Sequence, residues 1–224
     1  MLTLALDAST YAGDVALLDD TRLVAEESVA MKDAAHERLM PAVALVLERA
    51  GQSIADVDRI VCGAGPGSFT SLRIAGGIAK GLATGASKPL FSVPSMALTV
   101  GGASLDVGRY LVAVDALRGE FYVGLYHVSA ASDVIELERA RLVAADDVSG
   151  IAHEFDARVV SPSSLPDLPD AIVAHPKARA VARLGAWLDA TGPVDVATWE
   201  PAYGRLAEAQ VKWESTHGRP LPTE

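Results

Sequence analysis

Gly63-Ala64-Gly65-Pro66-Gly67-Ser68-Phe69-Thr70-Ser71-Leu72-Arg73-Ile74-Ala75, running on through Gly85, decides how the rest of the chain is read. The apolar run Val57 to Cys62 precedes it, so the order is buried strand, glycine turn, helix. Glycine reaches positive φ without steric cost and proline pre-sets its own φ, which together enforce an abrupt turn. Thr70 or Ser68 stands where a cap for the first helical turn is needed. Such a turn aims backbone N–H groups and the positive end of a helix dipole at one spot, a common way of holding phosphate. Neither standard template fits. A Walker A loop ends in Gly-Lys-Ser/Thr, and no lysine follows until Lys80; a dinucleotide fingerprint needs a third glycine where Ser68 or Thr70 stands. A tight strand-to-helix turn with no ligand therefore stands beside the phosphate reading.

The helix expected over Thr70 to Gly85 says more than the turn. At about 100° per residue, Ile74, Ile78 and Leu82 fall together, with Gly77, Gly81 and Gly85 beside them. Ala75, Ala79 and Ala83 extend the same side, leaving the remainder to Arg73, Lys80 and Thr84. The small or apolar arc covers roughly two-thirds of the circumference, against the roughly 100° stripe that packing on one core requires. Such a helix has two neighbours. Each interior glycine costs about 1 kcal/mol relative to alanine, so three at spacing four imply close approach by another helix, in this chain or another.

The 224 residues suffice for one large domain or two small ones. Half are hydrophobic, yet no apolar run reaches the length of a membrane span, and Met1 to Asp7 has no basic region of the kind that opens a secretory signal. A single cysteine, Cys62, excludes an internal disulfide framework and fits a reducing cytoplasm; it is expected buried at the end of its strand. The net charge of −10 and the lack of a Lys/Arg run argue against independent grip on nucleic acid.

Three strand candidates open the chain: Leu2 to Asp7, Gly13 to Leu18 and Arg22 to Val29. A strand ending in Asp7-Ala8-Ser9-Thr10 and turning back into a second strand resembles the first phosphate loop of the actin, sugar-kinase and Hsp70 superfamily, where the acid holds a metal-bound water. A solvated Asx-turn accounts for the same residues. Ala35 to Ala50 has helical periodicity, with Leu39, Val43, Val46, Leu47 and Ala50 on one face; Pro41 marks its start or a kink, and Leu45 lies among the charges. A zinc helix site wants two histidines at i and i+4, but Met40 follows His36 at that spacing, so His36 reads as packed or interfacial. Pro89 to Val93 forms a further strand, Pro94 starts a short helix, and Gly101 to Gly108 is the linker, placing lobes at 1–104 and 105–224. Tyr110 to Ala116 and Glu120 to Val128 form a hairpin. Ala145 to Phe155 is a helix, Ala157 to Ser161 a strand, and Lys177 to Ala190 an amphipathic helix on Val181, Leu184 and Leu188. Ser215 to Glu224 reads as a frayed tail, and no internal repeat is visible.

Gly65 to Ile74 resembles the signature of the bacterial TsaB (YeaZ) family, with Ser71 in place of a usual glycine. His36-Glu37-Arg38-Leu39-Met40-Pro41, Asp115-Ala116-Leu117-Arg118-Gly119-Glu120-Phe121-Tyr122 and Glu200-Pro201-Ala202-Tyr203-Gly204-Arg205 are similar to further motifs of that family, although Leu117 replaces a common arginine. The resemblance implies an α/β, two-lobed actin-like ATPase fold of ribonuclease H-like halves, each a mixed sheet with flanking helices. It implies a cytoplasmic, non-catalytic subunit that binds TsaD, and through it TsaE, for threonylcarbamoyl transfer to N6 of the adenosine 3′ to the anticodon in ANN-decoding tRNAs. It also implies a homodimer when alone, contact with tRNA only through partners, no membrane, and neither cofactor nor metal. The partner interface is expected from His36, Leu39, Val43, Leu47, Ile74, Ile78 and Leu82, some of the apolar six being internal; Asp7, Ser9, Gly65, Gly67 and Ser68 would form a vestigial phosphate loop. Two alternatives stand against this: an ATP-binding kinase or acyltransferase acting alone through the same loop with Asp115, and, third, an M22-type glycoprotease-like hydrolase.

Overall fold

The computed structural model describes residues 1–31, 37–203 and 216. Strands β1 (Leu2–Asp7), β2 (Ala12–Asp19) and β3 (Arg22–Ala30) form an antiparallel meander. Helix α1 (Leu39–Arg49) follows, then β4 (Arg59–Gly63), α2 (Phe69–Ala86), β5 (Leu90–Val93) and α3 (Ser95–Gly102). The second half has β6 (Gly108–Asp115), β7 (Glu120–Val128), β8 (Val134–Ala144), α4 (Val148–Glu154), β9 (Ala157–Ser161), β10 (Ile172–Val173) and α5 (Gly185–Thr191).

The two sheets repeat one plan. The first runs β3-β2-β1-β4-β5 and the second β8-β7-β6-β9-β10, each with three antiparallel strands followed by two parallel additions. This is the ribonuclease H-like order, and its duplication gives the two-lobed actin-like fold that the sequence motifs imply. A single sequence with no visible repeat has thus built the same topology twice. The reason is that binary pattern and crossover handedness constrain topology far more than residue identity does.

Helices α1 and α2 lie side by side on the outer face of the first sheet, over a core of Leu4, Leu6, Val15, Leu17, Ile60 and Cys62. The other face shares its core with the second lobe: Ala5, Ala16, Leu18 and Val61 join Tyr110, Val112, Tyr126 and Val160 around α3. A third cluster fills the space between the second sheet and α4.

Three expectations need correction. The helix expected from Ala35 begins at Leu39, with Pro41 in its first turn, where the missing N–H leaves no bond unmade. Ala35 and His36 lie outside the described residues, as does nearly all of the expected tail. Lys177 to Ala190 is a 3₁₀ turn at Ala178–Arg183 and then α5, although Val181, Leu184 and Leu188 are buried as the pattern requires. The division at 104/105 describes the sheets, but the chain afterwards recrosses to the first lobe. Val194 N–H donates to the Leu90 carbonyl at 2.7 Å, Ala202 N–H to that of Ala64 at 2.7 Å, and Val194, Val196 and Trp199 pack into the first core.

Candidate partner face and the closed glycine loop

Helix α2 has three sides. Leu72, Ala75, Ala79 and Ala83 are buried against the sheet. A second side is covered by the returning segment: a methyl added at Gly76 would lie 2.9 Å from Pro201 Cγ, and Lys80 Nζ donates to the Trp199 carbonyl at 2.9 Å. Part of the second neighbour demanded by the apolar arc is therefore this strap. The third side is open. Gly77, Gly81 and Gly85 are exposed, and among the described residues a methyl added at any of them would have no neighbour within 4 Å outside its own helical turn. Ile74, Ile78 and Leu82 flank that stripe half-buried, each partly packed on the first core.

On α1 the expected contacts divide differently. Leu39, Val43 and Leu47 are buried in the lobe's own core, because their face of α1 covers β2 and β3. The outward side carries Met40, Pro41 and Ala44, all exposed. Sequence periodicity finds the apolar face, and on α1 that face is the inward one; the outward residues are fewer and smaller and carry no periodic signal. The Glu37 carboxylate accepts the amides of Leu39 and Met40 and so holds the start of the helix.

The five residues of the expected phosphate loop do come together, but they satisfy one another. Asp7 is fully buried; its Oδ1 accepts Ser9 N–H and Ser9 Oγ–H, each at 2.9 Å, and its Oδ2 accepts Ser95 Oγ–H at 2.5 Å. Ser95 Oγ in turn accepts Gly65 N–H at 2.8 Å. Burial pushes the Asp7 carboxyl above its ordinary range, opposed by these hydrogen bonds, while the nearby Asp14 charge raises it further. Ala64 N–H donates to the Val93 carbonyl at 2.8 Å and Ser68 N–H to the Ser9 carbonyl at 2.7 Å, while Pro66 has no N–H to offer. Gly67 lies so close to Ser9 that a Cβ would fall 1.9 Å from its carbonyl oxygen. Ser68 occupies the N-cap position of α2, yet its hydroxyl bonds to Ser71 Oγ rather than to an amide. The glycines thus serve a close approach of two loops. Cys62 is buried as expected, and burial pushes its thiol up, which keeps it protonated and inert.

A TsaB protein of Bacillus subtilis, a tRNA threonylcarbamoyladenosine biosynthesis protein, is 31% identical over 231 residues, spanning 95% of this chain and 98% of that protein. The chain belongs to the TsaB family. The corresponding protein of Escherichia coli is 38% identical over 128 residues, spanning 56% of this chain and 55% of that relative. Residues 29–160 match the family TsaD, tRNA N6-adenosine threonylcarbamoyltransferase. Among solved structures, YeaZ from Pseudomonas aeruginosa is 28% identical with a TM-score of 0.75 over 90% of this chain and 99% of that one. A protein described by similarity to the peptidase YeaZ of that organism is 27% identical, with a TM-score of 0.73 over 91% and 99%. Among the described residues of this TsaB-family chain, no helix is long and apolar enough to cross a membrane.

Proposed function

We propose that this chain is a non-catalytic scaffold subunit that binds TsaD through the outward sides of α1 and α2 and, through TsaD, meets TsaE. The assembly transfers a threonylcarbamoyl group to N6 of the adenosine 3′ to the anticodon in ANN-decoding tRNAs, in the cytoplasm. One observation carries the reading: the glycine stripe of α2 is open to the surface and flanked by half-buried Ile74, Ile78 and Leu82. A stripe without Cβ atoms lets a second helix approach closely, and dispersion contacts between the backbones reward that approach. Alone, the same surface pairs two copies of the chain. With a net charge of −10, contact with tRNA is left to the partners.

The rival enzyme reading requires Asp7, Ser9 and the Gly65 to Ser68 amides to face a nucleotide, whereas Asp7 and the Ala64, Gly65 and Ser68 amides bond within the chain. Gly81→Arg tests the proposal without disturbing the subunit's described fold, since none of the described residues crowds that position. The variant should unfold no lower than the unaltered chain and lose both co-elution with the same organism's TsaD and support of tRNA modification. Unchanged co-elution removes α2 from the interface. Micromolar ATP binding with turnover by the chain alone favours the enzyme.

A further inference from the structure

We propose that Arg73, stacked on Phe69 and backed by Tyr203, is the charged anchor of the α2 face and takes a carboxylate from a helix of the partner; this rests on α2 being the TsaD-binding helix and adds the chemistry that the partner must bring. Phe69 and Arg73 precede Gly77, Gly81 and Gly85 at the same spacing of four, so all lie in one i±4 row of α2, the row along which a second helix packs. Arg73 is exposed and Phe69 is half-buried. Arg73 Cζ sits 5.3 Å from the centroid of the Phe69 ring, and that ring sits 4.8 Å from the Tyr203 ring at an interplanar angle of 51°. Tyr203 is delivered by the segment that returns across α2, and next to it Ala202 N–H is bonded to the Ala64 carbonyl. The base of the stack is thereby tied to the turn that starts the helix.

Stacking uses the face of a guanidinium and leaves its in-plane N–H groups free, which is the fork that a carboxylate meets with two parallel hydrogen bonds. Among the described residues no carboxylate forms an ion pair with Arg73; the side-chain pairs occupy Arg22, Arg49, Arg158, Lys177 and Arg179. The Glu200 charge acts on the Tyr203 hydroxyl, as Arg73 does, without pairing with Arg73. In a chain of net charge −10, a preoriented cation with no counter-charge on an exposed helix face favours an acidic visitor. It gives no advantage to a second copy of α2, which carries Arg73 and Lys80 and no acid. The occupant is an acid-bearing helix of a different protein, here TsaD, and self-pairing through the same surface gains nothing from Arg73.

The test measures binding of the whole chain, unaltered and as Arg73→Gln and Arg73→Glu, to the same organism's TsaD at low and high salt, with self-association measured alongside. Both variants should unfold close to the unaltered chain, because the side chain is exposed. Arg73→Gln should weaken the TsaD complex about tenfold or more and flatten its salt dependence, and Arg73→Glu should weaken it further, while neither weakens self-association. Changing exposed helical Asp and Glu residues of TsaD singly to Arg should find a position that restores binding of Arg73→Glu, a reciprocal gain that a merely structural role would not give. The absence of any such position overturns the anchor. So does Arg73→Gln binding TsaD within about twofold of the unaltered chain at both salt concentrations; if Gly81→Arg still abolishes binding, the docking helix stands without the anchor, and if it does not, both readings fall. Self-association weakened as strongly as the TsaD complex places the acid on a second copy and overturns the choice of a different protein.

Discussion

Asp7 and Asp14 are directly opposed across β1 and β2, and both are buried. Like charges facing each other on one side of an antiparallel pair repel, so two ionised carboxylates here would destabilise the lobe. The structure treats the two differently. Asp14 is paired with Lys177, whereas among the described residues Asp7 is hydrogen-bonded by two serine hydroxyls and an amide. Burial then raises the Asp7 carboxyl above its ordinary value of 3.8. A carboxyl whose folded-state affinity for its proton exceeds the unfolded one favours folding when protonated. Its penalty appears as pH rises above the ordinary value and is complete above the raised one. Asp7→Asn, which does not titrate, should therefore gain stability over the unaltered chain with rising pH, read by urea unfolding across acidic to neutral pH. A stability difference that stays constant over that span contradicts the raised carboxyl.

Gly67→Ala places a carbon where the Ser9 carbonyl oxygen already is, so one of the two loops has to move. The cost is on the order of 2–4 kcal/mol, in the range of overpacking and broken backbone hydrogen bonds. Urea unfolding measures it, and a change below about 0.5 kcal/mol, the ordinary surface range, would mean that the loops are not in contact.

Gly81→Ala should do the opposite. Its new methyl crowds none of the described residues, and alanine favours the helix by up to about 1 kcal/mol, or about 2–4 °C in melting temperature for a chain of this size. If α2 is a docking helix, the same methyl weakens the complex with TsaD. Opposite signs for stability and binding in one variant separate a docking role from a packing role.

On α1, Leu39→Ala should cost about 2–5 kcal/mol because the side chain is fully buried, whereas Met40→Ala, on the exposed side, should stay within about 0.5 kcal/mol. Thermal unfolding of the pair distinguishes the inward and outward faces of this helix. Comparable losses in both would move the helix boundary or rotate the helix.

Much of the architecture could be read locally. Leu2 to Asp7 became a buried strand and Val57 to Cys62 gave one displaced to Arg59–Gly63, because apolar runs of that length admit few alternatives, and β7 begins and ends at the expected residues. Strand β8 is not among the expected elements, although Ile135-Glu136-Leu137-Glu138 alternates as a strand should; its register against β7 is irregular between Glu136 and Arg141. The split of Lys177 to Ala190 arises from close packing on Gly101 and Gly102, a contact between segments about eighty positions apart that no window of sequence contains.

By itself the sequence determined the strand and helix order of the first lobe, the abrupt turn at Gly65 to Gly67 and the excess apolar arc of α2, since each follows from residues adjacent in the chain. Tertiary structure alone decided what lies against those features. It brought Pro201 and Trp199 across α2 to fill one side and left Gly77, Gly81 and Gly85 facing outward, and it turned the Ala64, Gly65 and Ser68 amides onto Val93, Ser95 and Ser9. A helix pattern records how much surface must be covered; what covers it depends on segments whose meeting is fixed only when the whole chain has folded.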